Sequence, residues 1–218
     1  MGFKAKRGVL METEEIRHVA IYGSHGRKGK RWELEGTEKQ LRPAVKLAIE
    51  HPPKSRFPRN PFPNVVLGDW DVDMVKVDWD ERFQCEVKRF SKVLCKRYNL
   101  GGFIILQSST KLHKVRDETL TDYAVTYTSK SFHTVFNEPK THDEVNGILA
   151  WLCLFTKDPK LIEWYLLQMI KGTYTLRQGF KRNKKPPRIV YRYGNQDKQV
   201  AKFLSNRAFI QSFLENNE

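Results

Sequence analysis

Aspartate recurs at every second position at the end of the stretch Asn64-Val65-Val66-Leu67-Gly68-Asp69-Trp70-Asp71-Val72-Asp73. Side chains two apart on a β-strand share a face, so a strand continuing through this stretch would crowd Asp69, Asp71 and Asp73 together. Carboxylates that close repel one another unless a cation lies between them. Hard oxygen ligands suit Mg²⁺ or Mn²⁺, which makes Asp69, Asp71 and Asp73 candidate metal ligands. The same spacing also describes a solvated strand end or turn, where Asp is common.

A second group of chemistry-bearing residues lies further on. Ser131-Phe132-His133-Thr134-Val135-Phe136 alternates as a strand does, with Ser131, His133 and Val135 on one face. A histidine there can hydrogen-bond or charge-stabilise a phosphate. Thr175-Leu176-Arg177-Gln178-Gly179 precedes the basic run Phe180-Lys181-Arg182-Asn183-Lys184-Lys185-Pro186-Pro187-Arg188. Arg177 and Lys181 are candidates for nucleotide phosphate. Arg182, Lys184, Lys185 and Arg188 are candidates for a nucleic-acid backbone, the alternative being a solvated basic loop. His18 and His25 have no Cys or His partner at metal-ligand spacing and stay unassigned. His113 and His142 read as surface residues.

The elements that must position these groups follow from periodicity and punctuation. Residues 1–32 are polar and basic and read as a mobile end, with Gly23–Arg31 as a basic loop. A short helix fits within 33–50. Five of the ten prolines fall within His51–Pro63, an extended segment that delivers the chain into the strand at 64–71. Phe83, Val87, Phe90, Leu94 and Tyr98 recur at helical spacing over 81–98, and Asn99-Leu100-Gly101-Gly102 closes that helix. Strands are expected at 102–107, 131–136, 173–179 and 189–193. Thr141-His142-Asp143-Glu144 is a capping box opening one helix, and Asp158-Pro159 opens the next, which Gly172 ends. A last helix spans 197–214, with Val200, Phe203, Leu204, Phe209, Ile210 and Phe213 on its apolar side. The organisation read from this is a basic lead-in over 1–60, a core over 61–195, and a helix over 196–218 packed on it.

A strand ending in Asp-x-Asp, then a helix and a strand, then Ser-x-His on a further strand, resembles the archaeo-eukaryotic primase and primase-polymerase superfamily. Asp69-Trp70-Asp71 carries the first motif, Ser131-Phe132-His133 the second, and Arg177 with Lys181 the basic stretch near the nucleotide. The chain also resembles replication proteins of archaeal plasmids and viruses. The resemblance covers about residues 60–195. It implies an α/β (α+β) fold with an RRM-like palm, a mainly antiparallel sheet holding 64–71, 102–107 and 131–136 together, and helix 81–98 on one face. It implies catalytic Asp69, Asp71 and His133 meeting in an open basic groove, with Ser131 beside the nucleotide. The cofactor would be Mg²⁺ or Mn²⁺. The partners would be nucleoside triphosphates, single-stranded or primer-template DNA, and a replicative helicase. The strands after Ser-x-His contain no Asp or Glu, so a third metal-binding acid would have to be Asp73 or Glu163. Two alternatives stand beside this reading. One is a non-catalytic DNA-binding replication protein on a degenerate primase palm. The other is a rolling-circle initiator endonuclease, which needs His-hydrophobic-His where this chain has Ser131-Phe132-His133.

Composition agrees with a nucleic-acid partner. Lys and Arg number 39 against 25 Asp and Glu, a formal net charge of +14 in 218 residues. Such an excess points first to nucleic acid and second to an anionic membrane surface. No apolar stretch reaches the roughly 18 residues of a spanning helix, and no signal-peptide core follows the basic N-terminus, so no membrane partner is expected. Cys85, Cys95 and Cys153 lack paired spacing and read as reduced core thiols of a cytoplasmic protein.

Overall fold

A computed structural model describes residues 15–23, 31–51, 65–79, 86–108, 131–156, 158–179 and 185–215. The chain is a mixed α+β protein with two antiparallel four-stranded sheets and five helices among these residues. Sheet one has the order β2-β1-β3-β7, from β1 (Arg17–Gly23), β2 (Arg31–Gly36), β3 (Val65–Asp69) and β7 (Leu176–Arg177). Sheet two has the order β4-β6-β5-β8, from β4 (Lys76–Trp79), β5 (Gly102–Gln107), β6 (Phe132–Phe136) and β8 (Arg188–Gly194).

This corrects the expected single sheet. The strand at 65–69 belongs to sheet one, whereas those at 102–107 and 132–136 belong to sheet two. The basic lead-in also differs from expectation, because Arg17–Gly23 and Arg31–Gly36 pair as strands. Both runs are short and carry charged or polar residues, Arg17 and His18 in one and Arg31, Glu33 and Glu35 in the other, and such runs read as loops when the partner strand is unknown.

Helix α1 (Glu38–Glu50) starts at the Thr37–Gln40 capping box and buries Leu41 and Val45 against sheet one. Helices α2 (Val87–Arg97), α3 (His142–Phe155) and α4 (Pro159–Lys171) cover one face of sheet two. Their core includes Val77, Trp79, Phe103, Ile105, Phe136, Leu94, Leu149 and Tyr165. The Thr141–Glu144 box, the Asp158 N-cap with Pro159, and Gly172 at φ 67° in the left-handed region bound α3 and α4 as their sequence signals require.

Helix α5 (Gln199–Glu215) packs between the sheets. Val200 and Phe203 join Met74, Ile104, Leu106, Val135 and Leu176, while Phe209, Ile210 and Phe213 join Val19, Ile21 and Leu67. The expected single apolar side is therefore divided between two cores. Buried Asn137, just past β6, fixes the start of α5: its Oδ1 accepts from Lys198 N–H at 3.0 Å and its Nδ2 donates to Asp197 at 2.9 Å. No helix among the described residues is long and apolar enough to cross a membrane.

Candidate active site

Asp69 ends β3 and is paired in register with Val19 and Leu176, so it shares the face that looks toward α5. It is buried, and its carboxylate receives Lys76 Nζ on Oδ1 and Asn206 Nδ2 on Oδ2 at 2.8 Å. Lys76, from β4 of the other sheet, is itself fully buried. Its ammonium also donates to the Asp71 carbonyl at 3.2 Å and the Tyr174 carbonyl at 2.9 Å, giving its three N–H groups three acceptors. Asp71 lies past the strand end. Lys202 Nζ at 2.6 Å and His18 Nδ1 at 3.2 Å meet its Oδ2.

The strand stops at Asp69, so the three aspartates do not share one strand face; Asp71 and Asp73 follow in a bend. Burial works to raise the Asp71 carboxyl, but His18, Asp73, Lys76 and Lys202 together hold it well below the usual carboxylate range. Burial, and then the neighbouring Asp71, push Asp73 upward, and Gln199 Nε2 donates to Asp73 Oδ2 at 2.9 Å. The Asp69/Asp71 pair does not fit a divalent metal. Two ammonium groups already stand on the oxygens a metal would need, and a metal drawn in would be repelled by both. The cluster is an ionic bolt between sheet one, sheet two and α5.

His133 is not part of that cluster. It sits on β6, in register with Asp78 of β4 on one side and Leu106 of β5 on the other. Residues directly opposite share a face, so Asp78, His133 and Leu106 look the same way as Lys76, Val135 and Ile104, away from the three covering helices. His133 Nδ1 contacts Asp78 Oδ1. His133 Nε2 lies 3.4 Å from Ser108 Oγ, and Arg177 Nη2 donates to the same Oγ at 3.3 Å. Arg177 is held in addition by the Gly179 carbonyl at 2.9 Å and the Lys185 carbonyl at 2.8 Å. Ser131 contributes its carbonyl, which accepts from Ser108 N–H at 3.0 Å. The side chains of Asp78 and His133 are 25% and 12% exposed, against 1% and 3% for Asp69 and Asp71, so solvent reaches the first pair and not the second.

Neighbouring elements fix Asp78 closely. Strand parity turns Trp79 into the helical core, where its Nε1 donates to Thr134 Oγ1 at 2.8 Å, and so turns Asp78 to the other face. Tyr165 of α4 donates its hydroxyl to the Asp78 carbonyl at 2.5 Å. Reading the first Asp-Trp-Asp as the acid motif overlooked a second copy nine residues on, Asp78-Trp79-Asp80. The signal was present in Val75-Lys76-Val77 before it, an apolar strand pattern broken only by a lysine.

Among the expected site residues, the structure thus links His133, Arg177 and the Ser131 and Lys185 backbones, while Asp69, Asp71 and Asp73 make their side-chain contacts with Lys76, Asn206, Lys202, His18 and Gln199. Arg188 begins β8, with Nη2 donating to Gln107 Oε1 at 3.1 Å. Lys181, Arg182, Lys184 and Asp80 lie outside the described residues, as do the basic loop 24–30 and the proline-rich stretch 52–64. Glu163 is exposed on α4, which covers the opposite face of sheet two from His133. No group of three His, Cys, Asp or Glu able to hold a metal is gathered among the described residues. Compared with family models, characterised proteins and solved structures, the chain shows no match, so its functional reading rests on geometry and motif order.

Proposed function

We propose that the chain performs metal-dependent, template-directed nucleotidyl transfer of the primase-polymerase kind, with Asp78 in the role first read for Asp69 and Asp71. The observation that carries this is the cross-strand pair of Asp78 and His133, partly open to solvent and linked through Ser108 to Arg177. The motif order supports it. Strand β4 leads into Asp78-Trp79-Asp80, helix α2 and strand β5 follow, and Ser131-Phe132-His133 opens β6. With Asp69-Trp70-Asp71 as the motif, β4 would intrude before the helix. In this reading sheet two, covered on one face by α2, α3 and α4, is the palm.

Asp78 would contribute a carboxylate oxygen to Mg²⁺ or Mn²⁺, which when bound would neutralise triphosphate charge and polarise the attacking oxygen. The chain's own residues do the positioning. Asp78 engages His133 Nδ1, which fixes the ring and leaves Nε2 directed at Ser108 and incoming phosphate. Arg177 is anchored by two backbone carbonyls, so its guanidinium meets phosphate without first losing mobility. The partners are nucleoside triphosphates and single-stranded or primer-template DNA. Incubating the purified chain with a primed template, labelled nucleotides and Mg²⁺ or Mn²⁺ tests this. Template-dependent incorporation, abolished by chelator and weakened through nucleotide affinity in His133→Ala, is the expected result. A chain that binds DNA but incorporates nothing under either metal is instead a non-catalytic DNA-binding protein on the same fold.

A further inference from the structure

We infer that helix α2 and the outer strand β8 form a phosphate-tracking surface for single-stranded nucleic acid, starting at the end of sheet two that holds Asp78 and His133. Helix α2 carries five cations, Lys88, Arg89, Lys92, Lys96 and Arg97, and no acid. Lys96 and Arg97 lie in its last turn, where cations complement the helix dipole. Lys88 and Arg89 lie in its first turn, where the dipole opposes them, and Glu86 offsets only Arg89, at 3.0 Å. Lys88, Lys92 and Lys96 also follow one another at spacing i, i+4, so like charges stand side by side on one face. Within the helix this arrangement is unfavourable, and local rules are broken where a functional surface requires it.

Strand β8 supplies the order. It is one of the two edge strands of sheet two among the described residues, and its residues alternate exposed and half-buried. Tyr191 and Tyr193 pack on Phe103, with ring centroids 6.0 and 5.1 Å away. Lys88 Nζ lies 4.7 Å from the Tyr191 centroid, and Lys92 Nζ lies 5.1 Å from that of Tyr193. One helical step of four residues, about 6 Å, therefore matches one strand step of two, about 6.7 Å. Two ammonium groups are held in a row by two fixed rings, which lowers the ordering cost of meeting a partner. Two ring-held cations side by side on a strongly basic chain suit a polyanion with successive charges.

The register sets where the row begins. Arg188 is opposite Gln107, Gln107 is opposite Phe132, and Phe132 adjoins His133. The row thus begins at the end of sheet two that holds His133, on the opposite, helix-covered face, and runs along the edge strand β8 toward Tyr193. That the strand is single rests on the proposed template-directed reaction, whose template is unpaired where it is copied.

The test is binding of a fluorescently labelled single-stranded oligonucleotide across a salt series, using the full chain, K88A/K92A and K88R/K92R, with circular dichroism to verify folding. K88A/K92A should bind several-fold more weakly at low salt. Its log–log salt slope should flatten by about 1.4, two contacts at about 0.7 each on a single strand, and K88R/K92R should restore it. An unchanged slope and affinity in K88A/K92A would overturn the surface while leaving the proposed reaction intact. Wild type that binds no nucleic acid would overturn both. Loss of binding to anionic vesicles, with DNA binding unaltered, would assign the row to a membrane and overturn the inference. Should K88A/K92A fail to fold, ultraviolet cross-linking of wild type decides. Adducts at Tyr191 or Tyr193 support the surface, and adducts confined elsewhere contradict it.

Discussion

Lys76 and Asp78 stand two residues apart on one face of β4, and their surroundings differ in what they admit. Lys76 is sealed beneath Asp69 and two carbonyls, whereas Asp78 keeps a quarter of its side chain in solvent. Removing one partner of a buried pair leaves an uncompensated charge, so Lys76→Met should destabilise the fold by about 3–5 kcal/mol. Urea unfolding measures this directly, and a near-neutral change would mean that the Lys76–Asp69 pair does not hold the sheets together. Asp73 gives the pH dependence. Because burial and Asp71 raise its carboxyl, its ionised form is penalised in the folded state above that raised value. The penalty is absent below about pH 4, where folded and unfolded chains both hold the proton. Asp73→Asn, which retains an oxygen for Gln199, should therefore be more stable than wild type at about pH 7, and the gain should fade on acidification. Asp71 runs the other way. Its depressed carboxyl contributes stability above about pH 3.9 that is lost as pH falls through the folded value. A gain in Asp73→Asn that is constant with pH would contradict this account of the pair.

At the scale of elements, α5 couples the halves of the molecule. Asn137 caps its start from across sheet two, so Asn137→Ala should cost about 1–2 kcal/mol and fray the first turn. Hydrogen exchange at residues 198–200 would reveal it, and unchanged protection there would rule the cap out. What the sequence disclosed depends on the range of the interaction. Helix caps at Thr141, Asp158 and Gly172 act within four residues and were legible. Strands at 102–107 and 132–136 were legible because their runs are apolar or alternate cleanly. Sheet membership was not, since pairing is set between residues far apart in the chain. β1 and β2 were hidden because each is short and interrupted by charged or polar residues, Arg17 and His18 in β1 and Glu33 and Glu35 in β2. The second Asp-Trp-Asp was harder to see for a similar reason: Val65-Val66-Leu67 looks more like a core strand than a run containing Lys76, whose burial depends on Asp69, the Asp71 carbonyl and the distant Tyr174 carbonyl. His18 carried no motif at all, and its place beside Asp71 comes from β1 pairing with β3.

At the scale of the molecule, two antiparallel sheets face a shared helix, and the chain's carboxylates divide between two tasks. One set neutralises buried ammonium groups and joins the sheets. The other, at Asp78, remains open beside His133 and Arg177 on a chain of net charge +14. On the proposed reading, the positive field would draw nucleic acid and triphosphate toward that open carboxylate. The central claim is that this chemistry belongs to Asp78 and not to Asp71. It is tested by measuring template-directed nucleotide incorporation in Asp78→Asn and Asp71→Asn side by side, each normalised to its folded fraction. Metal stabilisation of a transition state amounts to several kcal/mol, and each 1.4 kcal/mol is about tenfold in rate. Asp78→Asn should thus fall by roughly a hundredfold or more with its stability retained, while folded Asp71→Asn, though less stable, should work near the wild-type rate. Abolished incorporation in folded Asp71→Asn together with normal incorporation in Asp78→Asn would contradict the account.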